Sequence, residues 1–208
     1  MKKLITVIAL LASISGFAQN ERYFAAMKKN LAMFDSSKTT ADYQALSAAF
    51  ERIGDAEKTQ WLPYYYAGLA LATAGWGDQN LNKDDNATKI KALCDKADAI
   101  AKSSEIFEIR NMAATQQMMV DPQSRYMTYG QEAGKALTSG MAVNPNNPRL
   151  YYLQGMSIFN TPEAFGGGKA KAKPVFEKAV ALFKSEEVKP LYPKWGQKQA
   201  EDMLAQCQ

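Results

Sequence analysis

Apolar residues recur along this chain at intervals of three and four, and they do not alternate with polar ones over any long run. That is the period of helices buried on one face. Tyr23, Met27, Leu31 and Phe34 mark a helix over Glu21–Phe34, broken by Asp35, Ser36 and Ser37. Tyr43, Leu46, Phe50 and Ile53 form the stripe of a second, Thr40–Ile53, with Thr40 as N-cap and Gly54 as its stop. A third spans Lys58–Ala74, ended by Gly75 and Gly77. Its Pro63 lies near the first turn, where amides lack intrahelical partners. The same periodicity predicts helices over Asn86–Lys102, Ser104–Met119, Ser124–Val143, Pro148–Phe159, Lys169–Lys184 and Lys194–Ala205. Asn86 and Ser104 are the expected caps of the first two of these. Between them lie strong breakers: the polar run 78–85, Asp121–Pro122, Asn144–Pro148, Gly166–Gly168, and the prolines 190 and 193. Good helix formers dominate throughout, and no run reads as a strand.

The helices fall into pairs, and some pairs repeat one another. Tyr151 precedes Gly155 by four residues, and Ala172, Phe176 and Ala179 follow on the next helix. Ile109 and Ala113, then Ala133, Leu137 and Gly140, repeat the theme, with Pro145 five residues on. Tyr64 and Gly68, then Leu93 and Ala97, give a weaker third copy, and Phe50 and Ile53 on the preceding helix stand in phase with it. Antiparallel helices approach closely only where side chains are small, so Gly68, Ala113 and Gly155 are expected at the tightest contacts. This pattern resembles the tetratricopeptide repeat (TPR). The resemblance implies an all-α fold: a right-handed superhelix of about four antiparallel helix pairs, closed by a C-terminal capping helix. The steps from Gly68 to Ala113 and from Ala113 to Gly155 are 45 and 42 residues. The family period is about 34, so loops between paired helices carry the surplus. The run Pro162–Gly168 also resembles a loop of exported bacterial TPR-like proteins. In TPR arrays the first helices line a concave face, which marks Tyr65, Arg110 and Tyr152 as candidate partner-binding residues.

The first 18 residues read as a signal peptide. Lys2 and Lys3 precede an apolar run, Leu4–Ile14, and Gly16 and Ala18 suit cleavage after Ala18. The run is too short to span a bilayer, which takes about 20 apolar residues. The expected mature domain is 19–208, periplasmic or secreted, without stable membrane insertion.

Charge adds little. The chain carries +4 from 25 basic and 21 acidic residues, and losing Lys2 and Lys3 leaves 23 against 21. No nucleic-acid footprint is present. There is no histidine, which removes Ser-His and Cys-His catalysis and histidine metal sites. Cys94 and Cys207 either form a bridge in an oxidising compartment or remain separate, with Cys94 a small buried residue.

Motifs for chemistry fail on inspection. Asp78-x-Asn80-x-Asn82 opens like a calcium loop, but Lys83 and Lys89 stand where Gly and Glu are required. Gly166–Lys169 follows no strand, and Ala170 replaces the Ser/Thr of a phosphate loop. Glu105 and Glu108 share a helix face and read as solvated charge near a helix N-terminus. No catalytic set, metal site or cofactor emerges. Aromatics concentrate around Trp61, Tyr64, Tyr65, Tyr66 and Trp76; three consecutive tyrosines on one helix point in different directions, so they are not all expected in the core. The expected function is an exported, non-enzymatic scaffold that binds a protein or peptide through Tyr65, Trp76, Arg110 and Tyr152. The alternative is a glycan- or small-ligand-binding module built on the Trp61–Trp76 aromatics.

Overall fold

The computed structural model describes residues 21–208; the signal segment read from residues 1–18 lies outside them. Helix α1 spans 21–36. Then come α2 (Thr40–Glu57), α3 (Leu62–Gly77), α4 (Lys83–Asp98), α5 (Ser104–Val120) and a short α6 (Pro122–Arg125). A π-helical turn (Tyr126–Gly130) runs straight into α7 (Gln131–Val143); α8 (Pro148–Asn160), α9 (Lys169–Ser185) and α10 (Gln197–Ala205) complete the chain. The described residues form no strand, and no helix among them is long and apolar enough to cross a membrane.

Consecutive helices pack as pairs: α3 with α4, α5 with α7, and α8 with α9, while α10 closes against α9. The first helices α3, α5 and α8 also touch in series. The small residues sit where the spacing put them. A Cβ on Gly155 would stand 2.5 Å from the Phe176 ring, and one on Gly68 2.9 Å from Ile109. Ala113, Ala172 and Ala179 have no exposed surface.

Local chemistry shifts several predicted boundaries. Thr39, not Thr40, caps α2, in a reciprocal pair with Asp42. Gly54 does not stop α2, which continues to Glu57. Its missing side chain instead admits the Tyr64 ring, 2.7 Å from where a Cβ would be. Asn82 caps α4; Asn86, the expected cap, turns inward and donates to the Leu71 carbonyl at 2.9 Å. Ser104 is buried inside α5 and makes no cap bond, and Ser103 occupies the cap position. Pro122 starts a fresh helical turn, so the single helix expected from Ser124 begins earlier and passes through the π turn.

Tyr64, Tyr65 and Tyr66 are all buried, against the expectation that neighbours on one helix cannot all be core. The geometric argument holds, but α3 has partners on every side. Helices α2, α4 and α5 take three of them. The fourth is covered by the segment 186–196, which joins α9 to α10 and lies across the first helices as a strap. Its Leu191 belongs to the main core of α1–α5, and Tyr192 and Trp195 pack against that core. Two smaller clusters hold α8, α9 and α10 together. Cys94 and Cys207 are free and buried in different clusters.

Candidate ligand-binding faces

The strap and the first helices meet in a polar network. Trp195 donates its indole N–H to the Tyr65 hydroxyl at 2.8 Å. That hydroxyl donates to Glu108 Oε2 at 3.1 Å. Asn147, in the turn before α8, donates to Glu108 Oε1 at 2.7 Å and to Ser104 Oγ at 2.9 Å. Glu108 is therefore not the solvated charge its sequence position suggested: it is fully buried. Burial pushes its carboxyl up to about 8, against the pull of Arg149. Burial likewise raises the Tyr65 hydroxyl well above its ordinary range, helped by the neighbouring Glu108.

Arg149 anchors the strap from α8. Its Nη1 donates to Glu186 Oε1 at 2.6 Å, and Nη2 to the Pro193 carbonyl at 2.6 Å. Its guanidinium stacks over Phe183 and Trp195. Tyr66 donates to the Leu191 carbonyl at 2.8 Å. Beside the strap, a cavity of about 490 Å³ opens between Asn144, Asn147, Glu186, Lys189, Tyr192 and Pro193.

A second cavity of about 510 Å³ lies between α1 and α2. Among the described residues only those two helices line it, and they are the first two in chain order. The floor is apolar, from Ala26, Met33, Ala49, Ile53 and Ala56, with Arg22, Lys29 and Arg52 around it. Tyr23 also lines this groove. Its side chain is only 5% exposed and its hydroxyl has no partner. Burial, with Glu57 nearby, pushes that hydroxyl up to about 12. At the other end of the described residues α10 packs on α9.

The four residues selected from the sequence are not brought together. Tyr65 is buried beneath Trp195, and Tyr152 lies half-buried, edge-on to the same indole. Arg110 turns towards α4, donating to Asp95 at 2.7 Å and Asp98 at 2.8 Å. Trp76 is 48% exposed near the C-terminal end of α3. Trp61 stands at the opposite end of that helix, edge-on to Tyr192, so the two tryptophans share no surface. The α1–α2 groove and the strap did not stand out in the sequence. The groove's one signal was Arg22, Lys29 and Arg52 flanking small residues on two amphipathic helices. The strap's was a tryptophan shortly after two prolines.

No protein-family model and no curated protein matches the chain. A solved structure does: the HusA haemophore from Porphyromonas gingivalis is 34% identical, over 89% of this chain and 92% of the haemophore, with a TM-score of 0.79.

Proposed function

The chain belongs to the family of the HusA haemophore, and from that membership we propose that it is an exported, non-enzymatic carrier of haem or a closely related tetrapyrrole. The observation that carries the proposal is identity of 34% over nearly the full length of both chains. The α1–α2 groove is the site whose chemistry fits. Its volume of about 510 Å³ lies in the range of small-molecule pockets, roughly 300–1,000 Å³. A tetrapyrrole is a flat apolar ring with carboxylates on one edge. The apolar floor takes the ring, and Arg22, Lys29 and Arg52 pair with the carboxylates. The chain has no histidine, so recognition rests on ring and carboxylates rather than on imidazole ligation of iron. In this reading haem is cargo. Tyr65 and Tyr152, expected to hold a partner, both lie against Trp195 of the strap, which favours the α1–α2 groove for cargo.

The test is a titration of the purified mature domain with haemin, followed at the Soret band. A saturable shift at micromolar haemin is expected. Ile53→Asp, which puts a charge on the groove floor, weakens it about tenfold or more, as burial of an unpaired carboxylate demands. Arg52→Glu weakens it roughly threefold to tenfold, in line with a partly exposed ion pair. Trp76→Ala, outside the groove, leaves it unchanged. Absence of any saturable shift overturns the carrier reading. A normal shift in both groove variants moves the site elsewhere.

A further inference from the structure

We propose that residues 189–196 are a displaceable occupant of an aromatic peptide groove, which opens to admit a segment of the same chemistry from another protein. The proposal stands apart from the carrier reading, since no strap residue lines the α1–α2 groove.

The strap is held in the way a bound peptide is held. Two of its backbone carbonyls, at Leu191 and Pro193, accept from Tyr66 and Arg149. Such contacts follow the course of a backbone without reading its sequence, and here that course includes a turn, closed by the Tyr192 N–H on the Lys189 carbonyl at 3.1 Å. Its side chains alternate in burial: Leu191 and Pro193 are buried, Tyr192 is half-buried and Lys194 is exposed. Trp195 then fills a slot between Tyr152 and the Arg149 guanidinium and donates to Tyr65. Backbone contacts give affinity, and alternate side chains in pockets give selectivity.

The strap is also an imperfect occupant, by two independent signs. Leu191 sits at φ 66°, in the left-handed region that a branched side chain disfavours. Arg149, only 1% exposed, has a buried Nε with no partner. A buried donor left unpaired is costly, and a segment bringing a carbonyl or carboxylate to it would bind without that defect. The cavity of about 490 Å³ at the strap's edge leaves room for an incoming chain to enter before the strap has left. The partner is thus a segment able to follow the strap's turn, with an apolar residue, a proline and a tryptophan at alternate positions, and an acceptor within reach of Arg149. While the strap is closed it lowers the apparent affinity of such a segment by the fraction of time the groove is open.

The experiment uses a fluorescein-labelled peptide of the strap's own sequence, Val188 to Gly196, in anisotropy titrations. Trp195→Ala empties the indole slot and is expected to bind the peptide about tenfold more tightly than the unaltered protein. Adding Arg149→Met to that variant is expected to abolish the gain. A folded Trp195→Ala variant that binds no better than the unaltered protein overturns the proposal. If Trp195→Ala does not fold, Trp195→Phe, which keeps the ring but loses the N–H, decides in the same way. Native-state hydrogen exchange on the unaltered protein gives a readout free of substitutions. Amides of 191–196 are expected to exchange through an opening that leaves α3 and α8 protected. Exchange of the strap only together with those helices shows it to be fixed core and also overturns the proposal.

Discussion

The indole N–H of Trp195 meets the hydroxyl of Tyr65 at 2.8 Å across 130 residues of chain. This contact joins the last connection of the molecule to its central helix. It also reaches Glu108, because the same hydroxyl donates onward to that buried carboxyl. Tyr65→Phe keeps the ring and strands both neighbours. The expected loss is about 1–3 kcal/mol, the cost of leaving buried polar groups unpaired. Urea unfolding followed by far-ultraviolet circular dichroism measures it. Tyr66→Phe strands only the Leu191 carbonyl and is expected to lose about 1 kcal/mol. Equal, negligible losses in both would mean that the network does not hold the strap.

Glu108 gives the fold a pH dependence of definite sign. Burial raises its carboxyl from 4.5 to about 8. Below the lower value the folded and unfolded chains both carry the proton, and the group makes no difference. Between the two values only the folded chain keeps it, so stability falls as pH rises. Above about 8 the loss is complete, and its size is several kcal/mol, roughly 5. Glu108→Gln removes this slope. Relative to the unaltered protein, the variant is expected to gain stability from pH 5 to about pH 8 and to level off above it. Paired urea melts across that range check it, and a constant difference between the two proteins contradicts the buried, proton-holding carboxyl.

Much of this fold was legible in the sequence because helices announce themselves by period. Tyr23, Met27, Leu46 and Phe50 were placed by spacing alone and are buried. The small residues Gly68, Ala113 and Gly155 were legible for the same reason: close helix contact has a side-chain size signature. What stayed hidden depends on contacts distant in sequence. Nothing near Glu108 shows that Tyr65 and Asn147 will enclose it. Nothing near Tyr66 shows that Leu191 will cover it 125 residues later. The candidate site was less legible still. Tyr65 and Tyr152 were chosen as first-helix residues, and both were found against the strap, whose residues carry no period. The α1–α2 groove is lined by small residues and cations of two different helices, which the sequence does not bring together.

Gly155→Ala tests the helix packing directly. Its new methyl would stand 2.5 Å from the Phe176 ring, too close for van der Waals contact, and both residues are buried between α8 and α9. Overpacking of this kind costs about 1–3 kcal/mol. Trimming the partner relieves the clash, so Gly155→Ala with Phe176→Leu is expected to be more stable than the sum of the two single changes. A double-mutant cycle from thermal or urea melts measures the coupling. Additive losses would show that the two positions do not meet.

Arg149→Lys separates the charge of the strap's anchor from its shape. Arg149 serves Glu186 with both terminal nitrogens, reaches the Pro193 carbonyl, and lies over two aromatic rings. A lysine ammonium keeps the positive charge but has no planar fork, so it cannot make these contacts at once. Because a cation remains, Glu186 is not left as an unpaired charge, and the loss should stay near 1–3 kcal/mol, short of the larger cost of removing one member of a buried pair. The loss is expected to fall unevenly. Hydrogen exchange should quicken across residues 191–196, while α2 and α4 keep their protection. A uniform drop in protection over the whole molecule would instead place Arg149 in the global core, with no special hold on the strap.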